Sequence, residues 1–83
     1  MTYAPEIRTF VTGHFGIAPD AITDDTSLLE ARIIDSMGIV ESISHVETTY
    51  GLIVPDEDVE PKHFDSINAI AAYLTEKLSG ARR

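Results

Sequence analysis

The sequence predicts an all-α fold: a small four-helix bundle of three long helices and one short one, with a long loop between the first and second. Three observations carry this. Apolar residues recur at helical spacing in three separate stretches. Nothing reads as a strand, because the apolar run at residues 52–54 is too short. The chain has 83 residues, 43% of them hydrophobic and 24% charged, which suits one folded domain and is too short for two. Residues 1–83 are therefore read as a single domain, with 79–83 as a frayed tail. Each long helix has one apolar stripe, so all can share one core.

The first helix is marked by Tyr3, Ile7, Phe10, Val11 and His14, spaced i, i+4, i+7, i+8, i+11. Thr2 is placed to cap it. Pro5 is tolerated in the first turn, where amide hydrogens lack helical partners. Gly13 is the expected stop. Residues 16–35, "GIAPDAITDDTSLLEARIID", begin with turn residues and hold no sustained period. A structureless connection of this length tends to be functional. Ile17, Ile22, Leu28, Leu29, Ile33 and Ile34 are expected to pin it to the core.

The second helix is expected over residues 36–50, ended by Gly51. Ile39, Ile43, Val46 and Tyr50 fall on one stripe and face the core. Met37 and Val40 fall on the other side with Glu41, Ser44, Glu47 and Thr48. Apolar groups rimmed by acids are a mark of a contact surface; the alternative is that Met37 or Val40 packs beneath the long loop. In "GLIVPDEDVEPKHF", Pro55 and Pro61 break any long element, and "DEDVE" can form one acidic turn. The last helix is expected from Asp65 or Ser66 to Gly80, with Ile67, Ile70, Ala71, Leu74 and Leu78 inward.

Composition excludes several classes of function. Fourteen acids against six Lys and Arg give a net charge of −8. Nucleic acids and anionic membranes need basic surfaces and are not expected as partners. A basic protein surface is the natural complement, although the same charge also serves solubility. There is no cysteine, hence no disulfide, thiolate metal site or cysteine nucleophile. With no secretory pattern and no run of about 18 apolar residues, the expectation is a soluble, cytoplasmic monomer.

Enzyme signatures are missing. His14, His45 and His63 form no close metal-binding pair, so no metal is expected. Ser36 stands in no G-x-S-x-G elbow. The acids of "DDTS" and "DEDVE" do not follow the calcium-loop pattern. Nor is there a glycine-rich phosphate loop. The expectation is a protein that is not an enzyme. What remains is Ser36, at the end of a long loop and the start of a helix. Its oxygen, like that of Asp35, can cap the helix. The amide dipoles there also favour an anion, so a phosphoester on Ser36 would be stabilised. The residues alone do not name the modification.

The stretch "DSMGIVE" resembles the D-S-[LM] attachment motif of the acyl carrier protein family, which includes peptidyl and aminoacyl carriers. The resemblance extends over nearly the whole chain. "DDTSLLEARIIDSM" is similar to the family's approach to its serine, and "YGLIVPDEDVEPKHFDSINAIAAYL" to its short third and terminal fourth helices. The resemblance implies that Ser36 accepts 4′-phosphopantetheine from coenzyme A through a phosphodiester. The arm's thiol would then carry an acyl or aminoacyl thioester.

It implies as partners a phosphopantetheinyl transferase, a loading enzyme (an adenylating ligase or acyltransferase) and a downstream synthase or transferase. Their basic patches would meet Asp35, Met37, Val40, Glu41 and Glu47, with Asp56 and Glu57 nearby. Met37 stands where Leu is commoner, and Ser42, Ser44 and His45 make helix II more polar than in many fatty-acid carriers. The run "SLLEARIIDSMGIVE" looks more like stand-alone carriers of natural-product pathways. The alternatives are a fatty-acid synthesis carrier, an unmodified acidic interaction module, and a small hydrolase using Ser36.

Overall fold

A computed structural model describes residues 3–80, and for residues 79 and 80 the backbone alone. Four α-helices follow one another: α1 (Ala4–His14), α2 (Ser36–Tyr50), α3 (Pro61–Phe64) and α4 (Ile67–Gly80). Short 3-10 turns lie at Pro19–Ala21 and Asp56–Asp58. No strand occurs among the described residues. The all-α expectation holds.

The core follows the apolar stripes. Ile7 and Val11 from α1, Ile39 and Val46 from α2, Phe64 from α3, and Ile67, Ile70, Ala71 and Leu74 from α4 are buried. Phe10, Ile43, Tyr50 and Leu78 are partly buried against them. α4 packs on α1 and α3, and α3 packs on α2. Tyr73, outside the expected stripe, is also buried. Its hydroxyl is satisfied by donating to Asp58 Oδ2 at 2.8 Å, as a buried phenol requires.

Several boundaries differ from expectation. α1 runs through Gly13 to His14, and the reversal comes later, at Gly16, whose φ of 67° is the left-handed value that glycine tolerates. The expected Thr2 cap lies outside the described residues; Tyr3 stands at the cap position and offers no side-chain bond. Pro61 does not merely break the chain. It opens α3 in the first turn, where a missing amide hydrogen costs nothing. α4 continues through Gly80, so residues 79 and 80 are helical, while the rest of the predicted tail, 81–83, lies outside the described residues.

The largest correction concerns residues 16–35, which are not structureless. Beyond the 3-10 turn, Ala31 N–H bonds to Ser27 O, and Arg32 N–H to Leu29 O at 3.0 Å. Ile33 N–H reaches back to Leu28 O at 2.9 Å. This pair of bonds around a left-handed residue is the Schellman arrangement that ends helical turns. Arg32, with φ 59°, occupies the position where glycine is preferred. The missing glycine is why no sequence signal marked this turn. Ile22, Leu28 and Ile34 are buried, and Ile17, Leu29 and Ile33 are partly so, as expected of the six pins.

The candidate attachment site at the start of helix 2

The turn at residues 27–33 is tied to the end of α3. Ser27 Oγ donates to Asp65 Oδ2 at 2.5 Å, and Leu29 N–H donates to Asp65 Oδ1 at 2.8 Å. Leu28 N–H donates to Asp65 O. Farther upstream, Arg8 holds Asp24 at 2.7 Å and donates to the carbonyls of Ile22 and Pro19. Asn68 donates to Asp25 Oδ1 at 2.7 Å. The loop is thus fastened to α1 and α4 along its length. Its last residues deliver the chain to α2 in one position.

At that point the work of the two helix-opening residues divides. Asp35 is the N-cap, in extended conformation, and its Oδ1 accepts from Gly38 N–H at 3.1 Å. Ser36 is the first helical residue. It is exposed, and its hydroxyl makes no hydrogen bond with any described residue. Capping therefore falls to the carboxylate, which suits the positive end of the helix dipole. The serine oxygen is left unused. Two residues on, buried Gly38 lets the helix lie against the loop. A Cβ there would sit 2.7 Å from Ile34 Cβ and 3.3 Å from Phe15 Cε1. Beside Ser36 opens a groove of about 640 Å³, lined by Phe15, Leu29, Arg32, Ile33, Asp35 and Glu41 among others.

The outer face of α2 is as read. Met37 is 61% exposed and Val40 51%, which removes the alternative that they pack beneath the loop. Ser44 and Thr48 are also exposed. Glu41 is exposed but not idle: its Oε1 meets His14 Nε2 at 2.7 Å, joining α2 to α1. Glu47 is half-buried and accepts from Val54 N–H at 2.9 Å, so it fastens the connection after α2. Asp56 and Glu57 are exposed on the 3-10 turn, with Ile53 84% and Val59 41% exposed to either side. These two apolar residues were not among the sequence candidates. Sequence reasoning also passed over Arg32, Gly38 and Asp65, whose roles rest on contacts with residues distant or differently oriented.

Two histidines flank Phe10. The His45 ring stacks on it at 3.8 Å between centroids, and that of His14 at 5.0 Å. Burial, then proximity to His14, pushes the His45 pKa below its ordinary value, which favours the neutral ring stacked on Phe10. Asp58 is held below the usual carboxylate range by the Tyr73 hydroxyl and then by Lys77, 3.1 Å away. No group of three or more metal-ligating side chains is found among the described residues.

The phosphopantetheine attachment site family matches residues 5–74 of this chain. The chain belongs to this family, that of the acyl carrier proteins. Relatives named acyl carrier protein are spread across bacteria. That of Bdellovibrio bacteriovorus is 29% identical over 77 residues, covering 93% of this chain and 96% of the relative. That of Rhodococcus erythropolis is 37% identical over 69 residues, covering 83% and 74%. Among solved structures, a chain from one described as "Crystal structure of FAD-dependent dehydrogenase" superposes with a TM-score of 0.69 at 29% identity, covering 82% of this chain and 97% of that one.

The cofactor of this carrier protein is covalently attached 4′-phosphopantetheine, which supplies a thiol to a chain without cysteine. The residues present fit such a group. They offer an exposed hydroxyl with no competing bond, the amide end of a 15-residue helix, and an open groove alongside. No described helix is long and apolar enough to cross a membrane.

Proposed function

We propose that Ser36 is the residue that carries the 4′-phosphopantetheine arm. On this reading the protein performs no bond chemistry itself and presents an acyl or aminoacyl thioester to separate enzymes in the cytoplasm. The observation that carries the reading is the division between Asp35 and Ser36. A carboxylate caps α2, and an exposed hydroxyl one residue later has no structural task. A hydroxyl that had to be both cap and acceptor would lose its helix bond on modification. Here nothing needs to break.

The pathway we favour is a specialised or natural-product one rather than fatty-acid synthesis. Support comes from the polar residues Ser42, Ser44 and His45 on α2 and from the run "SLLEARIIDSMGIVE". The partners are a phosphopantetheinyl transferase, a loading ligase or acyltransferase, and a downstream synthase or transferase. The likeness to a chain in a structure described by an FAD-dependent dehydrogenase supports a flavoenzyme as a further partner class. Met37, Val40 and the exposed Ile53 supply apolar contact, while Asp56 and Glu57 supply charge for basic partners. Asp35, Glu41 and Glu47 stand on the same helix but are each engaged within the fold. Their part in recognition is therefore secondary to the free groups.

The test is to incubate the protein with coenzyme A and a broad-specificity phosphopantetheinyl transferase and to record the intact mass. Wild type gains one phosphopantetheine and Ser36→Ala gains none. Equal labelling of Ser36→Ala, or no adduct on wild type, defeats the proposal.

A further inference from the structure

Among the described residues there are four Lys and Arg side chains. Three are paired with acids: Arg8 with Asp24, Lys62 with Glu60, and Lys77 with Asp58. The fourth, Arg32, is exposed, and its guanidinium has no hydrogen bond or ion pair with any described residue. That is unexpected in a chain of fourteen acids. Arg32 is not remote from carboxylates, since it lines the groove beside Ser36 together with Asp35 and Glu41. Glu41 is paired with His14, and Asp35 Oδ1 accepts from Gly38 N–H, yet neither carboxylate pairs with Arg32. Arg32 also holds the single left-handed backbone conformation among the described non-glycine residues. The turn it closes needs a left-handed residue there but gains nothing from a guanidinium.

We propose that Arg32 is a positioning residue for the arm, its guanidinium binding the phosphodiester on Ser36 and holding the start of the arm against the groove. The inference rests on Ser36 being the attachment residue. The chemistry matches: a guanidinium presents paired donors that fit the two free oxygens of a phosphodiester. The groove walls of Phe15, Leu29 and Ile33 offer apolar surface to the chain beyond it. An exposed contact of this kind is salt-sensitive. The arm is therefore held loosely and released to partner enzymes that bring their own cations.

The experiment compares apo and holo protein by nuclear magnetic resonance, observing the Arg32 Nε–H group and the phosphorus and pantetheine methyl signals. On conversion to the holo form, Arg32 Nε–H exchange with solvent slows by roughly two- to fivefold, as an exposed ion pair allows. The slowing vanishes near 1 M salt, where the Debye length is about 3 Å. Arg32→Gln moves the phosphorus resonance and makes the methyl groups more mobile, whereas Arg32→Lys keeps part of the effect. Arg32→Gly separates this role from folding, because glycine suits the left-handed backbone. It unfolds no earlier than wild type and yet frees the arm. Holo protein with unchanged Arg32 exchange, or an arm equally ordered in Arg32→Gly, overturns the inference and leaves the carrier reading standing. Failure of wild type to form any holo protein overturns both.

Discussion

The two long connections of this bundle are both held by side chains from other elements, but they differ in what they leave to solvent. The first, between α1 and α2, is tied down by side chains from other elements. Arg8 grips Asp24 and two carbonyls, Asn68 binds Asp25, and Asp65 takes Ser27 and Leu29. Its large apolar residues are buried or partly buried against the core. The second, between α2 and α3, has Glu47 on Val54 N–H and Tyr73 and Lys77 on Asp58. It leaves Ile53 and Val59 to solvent. On the function proposed above, the difference suits two tasks. A residue that must be found by a modifying enzyme needs a fixed address, and the first connection fixes Ser36. A surface proposed to meet several partners would need accessible apolar groups, and the second connection has them in Ile53 and Val59.

The comparison breaks most readily at Asp65. Asp65→Ala removes the acceptor for Ser27 and Leu29 and leaves their donors without partners. It is expected to cost about 2–3 kcal/mol, read as a fall in Tm of roughly 10–20 °C for a domain of this size. A loss under about 0.5 kcal/mol would mean that the first connection is not held as described. Gly38→Ala is next. Its Cβ would meet Ile34 Cβ at 2.7 Å, a backbone-proximal contact that cannot swing away, so a loss of about 1–2 kcal/mol is expected. Since the loop must shift, the rate of phosphopantetheine transfer to the variant should fall as well. If alanine is accepted without loss of stability, the close seating of α2 on the loop is not needed. Ile53→Ser has the smallest effect on the fold. Stability should stay within about 0.5 kcal/mol, while affinity for partner enzymes falls. A marked fall in Tm instead would show that Ile53 packs inward and that the second connection resembles the first.

The elements of this fold were legible where the physics is local. The stripes of α1, α2 and α4 follow from periodicity, and α2 begins and ends where Asp35, Ser36 and Gly51 predict. So was the outer face of α2, because the angle of Met37 and Val40 from the core stripe is a property of the helix alone. Illegible features depend on pairs far apart in sequence or on a residue in an unusual role. The turn closed by Arg32 carries no glycine to announce it. Asp65 looks like a helix-start residue for α4, and its side chain instead reaches back 36 and 38 positions. Glu47 reads as a surface acid on a helical wheel, yet the returning chain brings Val54 N–H to it. Pro61 reads as a breaker until it is seen to open α3.

The central claim is that the cap and the acceptor at the start of α2 are different residues. Intact mass spectrometry of Ser36→Ala beside wild type, after reaction with coenzyme A and a phosphopantetheinyl transferase, tests it most directly when each protein's unfolding is followed in parallel. The account predicts an unchanged unfolding midpoint for Ser36→Ala and no adduct, against one phosphopantetheine on wild type. An adduct on the variant would contradict it. So would a loss of stability of about 1 kcal/mol, the cost of removing a true cap.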